Sequence, residues 1–211
     1  MGFVITVAQQ KGGSGKTTLA ANLGVAFQAQ GLRVALLDTD AQGSLGRWFM
    51  ARRALGDLAA AMEFSTASAW GVSYECEKLR KISDVVIIDT PPKVDADLRP
   101  ALREADLVLV PVAASHVDLW AIDGVLDLVA REGKRALLVL NRAKAGNRLT
   151  AEVAAAAAAH GEVAEARLGA RVVFAETLGT GHGVSDMGRS TAKDEVAALA
   201  AEVLARINRA S

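Results

Sequence analysis

Cysteine occurs once in the 211 residues, at Cys76, tyrosine once and proline four times, and aromatic side chains make up 4% of the chain. A single thiol excludes an internal disulfide and any cluster of thiolate ligands within one chain, and it suits a reducing cytosol. An excess of charge is also lacking: 24 basic and 24 acidic side chains leave no net charge. No global field therefore announces a nucleic-acid or membrane partner, and only a local patch can serve one. The longest apolar runs, such as Leu107 to Ala114, fall far short of the roughly 18 residues a membrane span requires. His116, His160 and His182 are scattered without the spacing of metal ligands. The N-terminus enters an apolar run with neither a basic n-region nor a cleavage site, so no secretory leader is expected. Together these absences predict one cytoplasmic domain over residues 1–211 with no membrane partner.

What the chain does contain is concentrated first in Gln9-Gln10-Lys11-Gly12-Gly13-Ser14-Gly15-Lys16-Thr17-Thr18. Phe3 to Ala8 before it is a short β-branched run, and Leu19, Leu23, Ala26 and Phe27 after it recur at helical spacing, so the glycines sit at a strand-to-helix turn. Glycines there let backbone N–H groups converge on an anion, and the helix N-terminus adds the positive end of its dipole. Lys16 then places an ammonium on the β and γ phosphates of a nucleotide, and Thr17 a hydroxyl on Mg²⁺. The usual phosphate-loop pattern has glycine at the position of Gln10; this chain offers instead a second lysine, Lys11, at the mouth of the loop.

Farther on, Arg33 to Leu37 reads as a buried strand that delivers Asp38, with Asp40 two residues later. Doubly wound α/β folds bind ligands at that edge, although both carboxylates also suit the capping of the next helix. Asp84 to Pro92 is a second buried strand, delivering Asp89 to the same edge where it can hold Mg²⁺ directly or through water. Asn141 ends another strand and is a candidate for the adenine edge, or a plain turn residue. Between these, Leu45, Trp48 and Phe49 predict a helix whose aromatics are buried, with Arg47, Arg52 and Arg53 on its outer face. Residues 55–69 resist assignment, and 74–81 reads as a short charged helix. Helices are expected over 95–105, 117–131 and 149–159, strands over 107–111, 135–140 and 163–168, a short element over 171–178, and a final helix striped with Val196, Leu199, Ala200, Val203, Leu204 and Ile207. Strands alternating with helices of this length imply an α/β fold, a mostly parallel doubly wound sheet with helices on both faces.

The three motifs in this order resemble the ParA/MinD group of deviant-Walker ATPases, P-loop NTPases of the SIMIBI kind. Lys11 to Thr18 matches K-G-G-x-G-K-[ST]-T, Asp38 to Gly43 matches D-x-D-P-Q-G except that Ala41 replaces proline, and Asp89-Thr90-Pro91-Pro92 matches D-[TC]-P-P. The Gln9-Gln10 opening is closer to the ParA branch than to MinD. Residues 50–80 carry the resemblance least. The resemblance implies ATP and Mg²⁺ as cofactors. Gly12, Gly13, Ser14, Gly15, Lys16, Thr17 and Thr18 would bind nucleotide with Lys11 and Asn141; Thr17, Asp38 and Asp89 would serve the metal; Lys11, Lys16 and Asp40 would be catalytic. It further implies an ATP-dependent homodimer in which Lys11 reaches the other subunit's phosphates, no arginine finger being evident. Hydrolysis would be weak and stimulated by a ParB-like or cargo-adaptor protein. Non-specific DNA binding on the nucleoid would use basic residues, for which Arg142, Lys144, Arg148, Arg167, Arg171, Arg189 and Lys193 are candidates. The function implied is segregation or positioning of a plasmid, chromosome region or protein complex. An ATP-dependent ligase of the same fold, dethiobiotin-synthetase-like or cobyrinate-amidating, is the alternative.

Overall fold

β-branched and leucine-rich runs too short to be helices form the centre of the chain. In the computed structural model, which describes residues 1–59, 62–92, 98–144 and 146–208, they are Phe3–Val7 (β1), Val34–Asp38 (β2), Met62–Thr66 (β3), Val85–Asp89 (β4), Leu107–Ala113 (β5) and Ala136–Asn141 (β6). All pair in parallel in one sheet of order β3-β2-β4-β1-β5-β6. The expected fold class is thus observed, with every pairing parallel rather than most. Successive side chains of these strands point to opposite faces, and both faces are apolar. Ile5, Val7, Val85, Ile87, Leu107, Leu109, Leu137 and Val139 enter one core. Val108, Val110, Leu138 and Leu140 enter a second, and Val4, Val86 and Ile88 a third, on the other face.

Helices cover both faces: Lys16–Ala29 (α1), Ser44–Arg53 (α2), Gly71–Ile82 (α3), Arg99–Glu104 (α4), His116–Trp120 (α5), Asp123–Arg131 (α6), Arg148–Ala157 (α7), Val173–Gly179 (α8) and Thr191–Asn208 (α9). The stripe foreseen in the last helix is real, since Val196, Leu199, Ala200, Val203 and Ile207 are buried against the α1 side of the sheet. At about 25 cal/mol per Å² of apolar surface, each such fully buried Leu or Val contributes about 1.5–3 kcal/mol.

Several expected boundaries move for identifiable reasons. β5 runs through Pro111 to Ala113 because Ala8 N–H bonds Leu109 O and β1 then leaves the sheet, so no ladder donor is required of the proline. The helix expected over 117–131 is two, α5 and α6, separated at Ala121–Ile122. Residues 163–168 do not form a strand; Val163 makes a single bridge to Leu138 of β6, and a second bridge, Ala143 with Gly169, lies just beyond both segments. The unassigned stretch 55–69 yields a short 3-10 turn, Gly56–Ala59, and the edge strand β3. The first residues of the helix expected from 95 lie outside the described residues, and its described part is α4.

Arg52 is the clearest correction. Instead of lying on an outer face it is 1% exposed, its guanidinium 2.8 Å from Asp186 and 2.8 Å from Gln28 Oε1, over the ring of buried Trp48. Arg47 and Arg53 are exposed as expected. Trp48 and Phe49 are buried, Trp48 donating to His182 O at 3.0 Å and Phe49 stacking on Phe64 at 4.7 Å. The loop that carries Asp186 passes so close to α2 that a Cβ on Gly181, whose φ is +77°, would stand 2.3 Å from Arg52 N. α2, which follows the Asp38–Ser44 loop, is thereby fastened to the segment leading into α9.

Candidate active site

The register of the three central strands assembles the site. Asp38 on β2 and Val7 on β1 both stand beside Asp89 on β4, so the phosphate loop and two carboxylates leave the sheet together. Hydroxyls lock the three exits: Thr39 Oγ1 donates to Asp89 O at 2.9 Å and Thr90 Oγ1 to Val7 O at 2.8 Å.

Gly13 and Gly15 take φ of +73° and +91°, which only glycine adopts without strain. Gly15 is the N-cap of α1 and no side chain caps that helix, so its first N–H groups face the loop available to an anion. Lys16, 7% exposed, sits inside the loop. Burial lowers its pKa, and the charges of Asp89 and Asp40 oppose that shift. The floor of the loop is held from β6, where Asn141 Nδ2 donates to Ser14 O at 2.9 Å.

Thr17 Oγ1 donates to Asp89 Oδ2 at 2.6 Å, while Asp89 Oδ1 is buried without a hydrogen-bond partner. Burial pushes the Asp89 carboxyl up to about 7, Asp38 adding to the shift and Thr17 and Lys16 opposing it. A hydroxyl beside an orphaned carboxylate oxygen suits a hard cation such as Mg²⁺, which takes oxygen ligands and keeps several waters. Among the described residues no three or more His, Cys, Asp or Glu side chains cluster as a metal cage, so most of the ion's shell would come from phosphate and water. Asp38 is buried and accepts from Asp40 N and Gly46 N, both at 3.0 Å. Its capping use, the plainer of the two readings of the motif, is therefore present. Asp40 is half-buried, accepts from Gln42 N at 2.9 Å, and borders the phosphate cavity.

Lys11 lies at the mouth of the loop with Nζ 2.7 Å from Asp118 Oδ1 on α5. Ser115 donates to the other oxygen of Asp118 and caps the helix by accepting from Asp118 N. Asp118 escaped sequence reading; the only signal was a Ser-x-x-Asp cap following a buried strand.

Two adjoining cavities open over these residues. One, of about 360 Å³, is the phosphate cradle, lined by residues 12–18 with Asp40 and Pro92. The other, of about 480 Å³, extends from Gly15 and Asn141 toward Leu168, Trp48 and Phe174. Asn141 thus borders the cavity fit for a base, but its amide is already engaged, Oδ1 accepting from Arg142 N at 2.8 Å. A third cavity, of about 550 Å³, gathers four of the seven basic candidates, Lys144, Arg148, Arg167 and Arg171. Two of them are paired, Arg171 with Glu195 at 2.6 Å and Arg148 with Glu152 at 2.7 Å. Arg142 instead borders both nucleotide cavities, and Lys193 donates to Met187 O.

An all-parallel sheet with a glycine loop, an internal lysine and two strand-end carboxylates at its carboxyl edge defines a P-loop nucleotide-binding protein. The chain belongs to the CobQ/CobB/MinD/ParA nucleotide binding domain family, whose model matches residues 5–184. Its curated relatives include the maintenance of carboxysome distribution protein A of Halothiobacillus neapolitanus, 30% identical over 154 residues that cover 70% of each chain. They also include the chromosome-partitioning ATPase Soj of Thermus thermophilus, 32% identical over 151 residues, 60% of this chain and 59% of that one. Among solved structures, an ATP complex of a Cyanothece McdA variant superposes with a TM-score of 0.77 at 17% identity, over 96% of both chains. The septum site-determining protein MinD of Pyrococcus horikoshii, complexed with Mg-ADP, superposes with a TM-score of 0.77 at 22% identity, over 98% of both. These structural likenesses concern the fold.

Proposed function

We propose that the protein is an ATP-dependent dimerising switch of the ParA type, which hydrolyses ATP slowly and positions a plasmid, chromosome region or protein complex over the nucleoid. The observation that carries this is the continuous pair of cavities at the sheet edge: a phosphate cradle with Lys16 inside and Lys11 at its mouth, opening into a space sized for a base. The relatives named for carboxysome distribution and chromosome partitioning favour this reading over a ligase of the same fold.

In this reading residues 12–18 bind the polyphosphate and Thr17 with Asp89 holds Mg²⁺, Asp38 supporting that shell through the loop it fastens. Mg²⁺ held there would supply positive charge against the negative charge that builds on the phosphates. Lys16 stabilises the β and γ phosphates. Asp40 orients the attacking water from its place on the cavity rim. Lys11 of the partner subunit supplies the cation that completes the site, so that dimerisation reports the γ phosphate. Phosphoryl transfer of this kind is mostly positioning and charge neutralisation, and it stays slow until a ParB-like or cargo-adaptor protein improves the alignment. The basic cavity of Lys144, Arg148, Arg167 and Arg171 is the surface we assign to DNA phosphates, doubled in the dimer.

Sizing chromatography with Mg-ATP against Mg-ADP tests the switch. The dimer is expected with ATP alone and is lost in Lys11→Ala, which still binds nucleotide; a size independent of nucleotide overturns the reading.

A further inference from the structure

Arg142 follows the last residue of β6 with φ at +52°, in the left-handed region. That conformation costs a residue bearing Cβ about 1 kcal/mol or more, so something must hold it there. The holding bonds come from Asn141, whose Oδ1 accepts from Arg142 N at 2.8 Å while its Nδ2 donates to Ser14 O at 2.9 Å. The strained turn is built on the phosphate loop itself. Asn141 has little freedom to rearrange, since a Cβ on Gly15 would stand 2.3 Å from its Nδ2. The exposed side chain of Arg142 has no hydrogen-bond or ion-pair partner among the described residues.

The two cavities share Gly15, Thr18, Ser44, Arg142 and Leu178. These residues mark the junction between base and phosphates, and Arg142 is the one charged side chain of the five. Gly12, Asp40 and Pro92 border the phosphate cavity and not the one fit for a base, so we assign the γ phosphate to their side. A nucleotide laid from one cavity into the other carries its ribose and α phosphate across the junction. The basic cavity assigned to DNA does not include Arg142 in its lining.

We propose that Arg142 is a nucleotide-positioning residue acting in cis: its guanidinium engages the ribose and α phosphate, the part common to ATP and ADP, and the Asn141 relay couples that contact to the phosphate loop. This rests on the nucleotide reading of the site and removes Arg142 from the DNA candidates. A planar guanidinium suits a phosphate better than an ammonium does, which is why arginine serves at this junction while lysines serve the loop. The contact sets how tightly either nucleotide is held and does not discriminate the state before hydrolysis from the state after it.

The test is displacement of a fluorescent ATP analogue by ATP and by ADP, each with Mg²⁺, alongside DNA retention. Arg142→Ala is expected to weaken ATP and ADP by the same factor, about tenfold, the effect of one lost charge-assisted hydrogen bond. Arg142→Lys recovers part of the loss. Arg142→Gly, which suits the left-handed turn, loses the same nucleotide affinity while melting higher than Arg142→Ala, and so separates the contact from folding. Wild-type affinity for both nucleotides in Arg142→Ala overturns the proposal, as does a loss confined to ATP. Lost DNA retention with nucleotide affinity intact also overturns it and returns Arg142 to the DNA surface. Lys16→Ala distinguishes the levels: if it too binds nucleotide normally, the site reading itself fails, whereas its loss beside an unaffected Arg142→Ala removes only the role given to Arg142.

Discussion

Lys11 Nζ stands 2.7 Å from Asp118 Oδ1, so the lysine we assign to the partner subunit's nucleotide is held by its own chain. The lysine side chain is 39% exposed and the aspartate 12%, and a pair so placed is worth about 1 kcal/mol or less after solvent screening. Reaching a second subunit requires breaking it. Asp118→Asn keeps the size of the side chain and releases Lys11. Dimerisation with Mg-ATP is therefore expected at two- to fivefold lower protein concentration by light scattering, a factor of the size that about 1 kcal/mol allows. Weaker dimerisation in this variant would give Asp118 a supporting role in the interface instead.

Asp40 borders the phosphate cavity with Oδ1 accepting from Gln42 N. A carboxylate there that orients water is worth roughly two to four orders of magnitude in rate. Asp40→Ala is expected to bind ATP and dimerise while phosphate release falls at least about a hundredfold. Release at the wild-type rate would take Asp40 out of the chemistry.

The Asp89 carboxyl, raised by burial from an ordinary 3.8 to about 7, gives a pH signature whose sign is fixed. Between those values the folded protein holds a proton that the unfolded chain has released, so stability falls as pH rises through this window. Denaturant midpoints without nucleotide or metal are expected to drop between pH 5 and 7, and Asp89→Asn flattens that slope. Mg²⁺ needs the carboxylate, so Mg-ATP affinity moves the opposite way and improves as pH rises through about 7, checked by titration calorimetry in buffers of different ionisation enthalpy. Asp84, held down to about 2 by its hydrogen bonds to Arg33, titrates far below this window and does not disturb it.

Arg52 and Asp186 form an almost fully buried pair 2.8 Å apart. Removing one partner of such a pair leaves a desolvated charge, a loss of about 3–5 kcal/mol. Arg52→Ala is expected to lower the unfolding free energy measured by urea titration by that amount, and Arg52→Met with Asp186→Leu to recover most of it. Additive losses in the double variant would show that the two side chains act separately.

What was legible in the chain follows from how local the signal is. β1, β2 and β4 were readable because a parallel strand buried on both faces is a continuous apolar run, and a carboxylate at its end has few other reasons to be there. β3 was not, because an edge strand with Glu63 exposed and Ser65 half-buried breaks that run. Arg52 was misread because helical spacing puts it beside Arg53, while the residue that buries it lies 134 positions away. Asp118 was missed, and Arg142 was read only as a DNA candidate, for the same reason: each comes to the loop only once β5 is laid beside β1 and β6 beside β5. Thr17 and Asp89, 72 residues apart and both read as metal candidates, meet in a hydrogen bond because both ends belong to motifs whose strands are neighbours.

The basic cavity offers the last test, and salt decides it. Lys144 and Arg167 face the same space as Arg148 and Arg171, but Arg148 and Arg171 are already paired with Glu152 and Glu195. The unspent charge is therefore that of Lys144 and Arg167, and each phosphate neutralised per subunit adds about 0.9 to the slope of log affinity against log salt. A dimer that uses both residues on each subunit makes four such contacts. Lys144→Ala combined with Arg167→Ala is thus expected to abolish most DNA retention in the ATP state at about 0.15 M salt and to reduce the slope by about 3–4. Nucleotide affinity and ATP-dependent dimerisation stay at wild-type values, because neither residue borders the nucleotide cavities. Glu195→Gln gives the complementary reading: freeing Arg171 from its carboxylate should strengthen DNA retention. If the double variant retains DNA with an unchanged slope, the DNA surface lies elsewhere on the dimer.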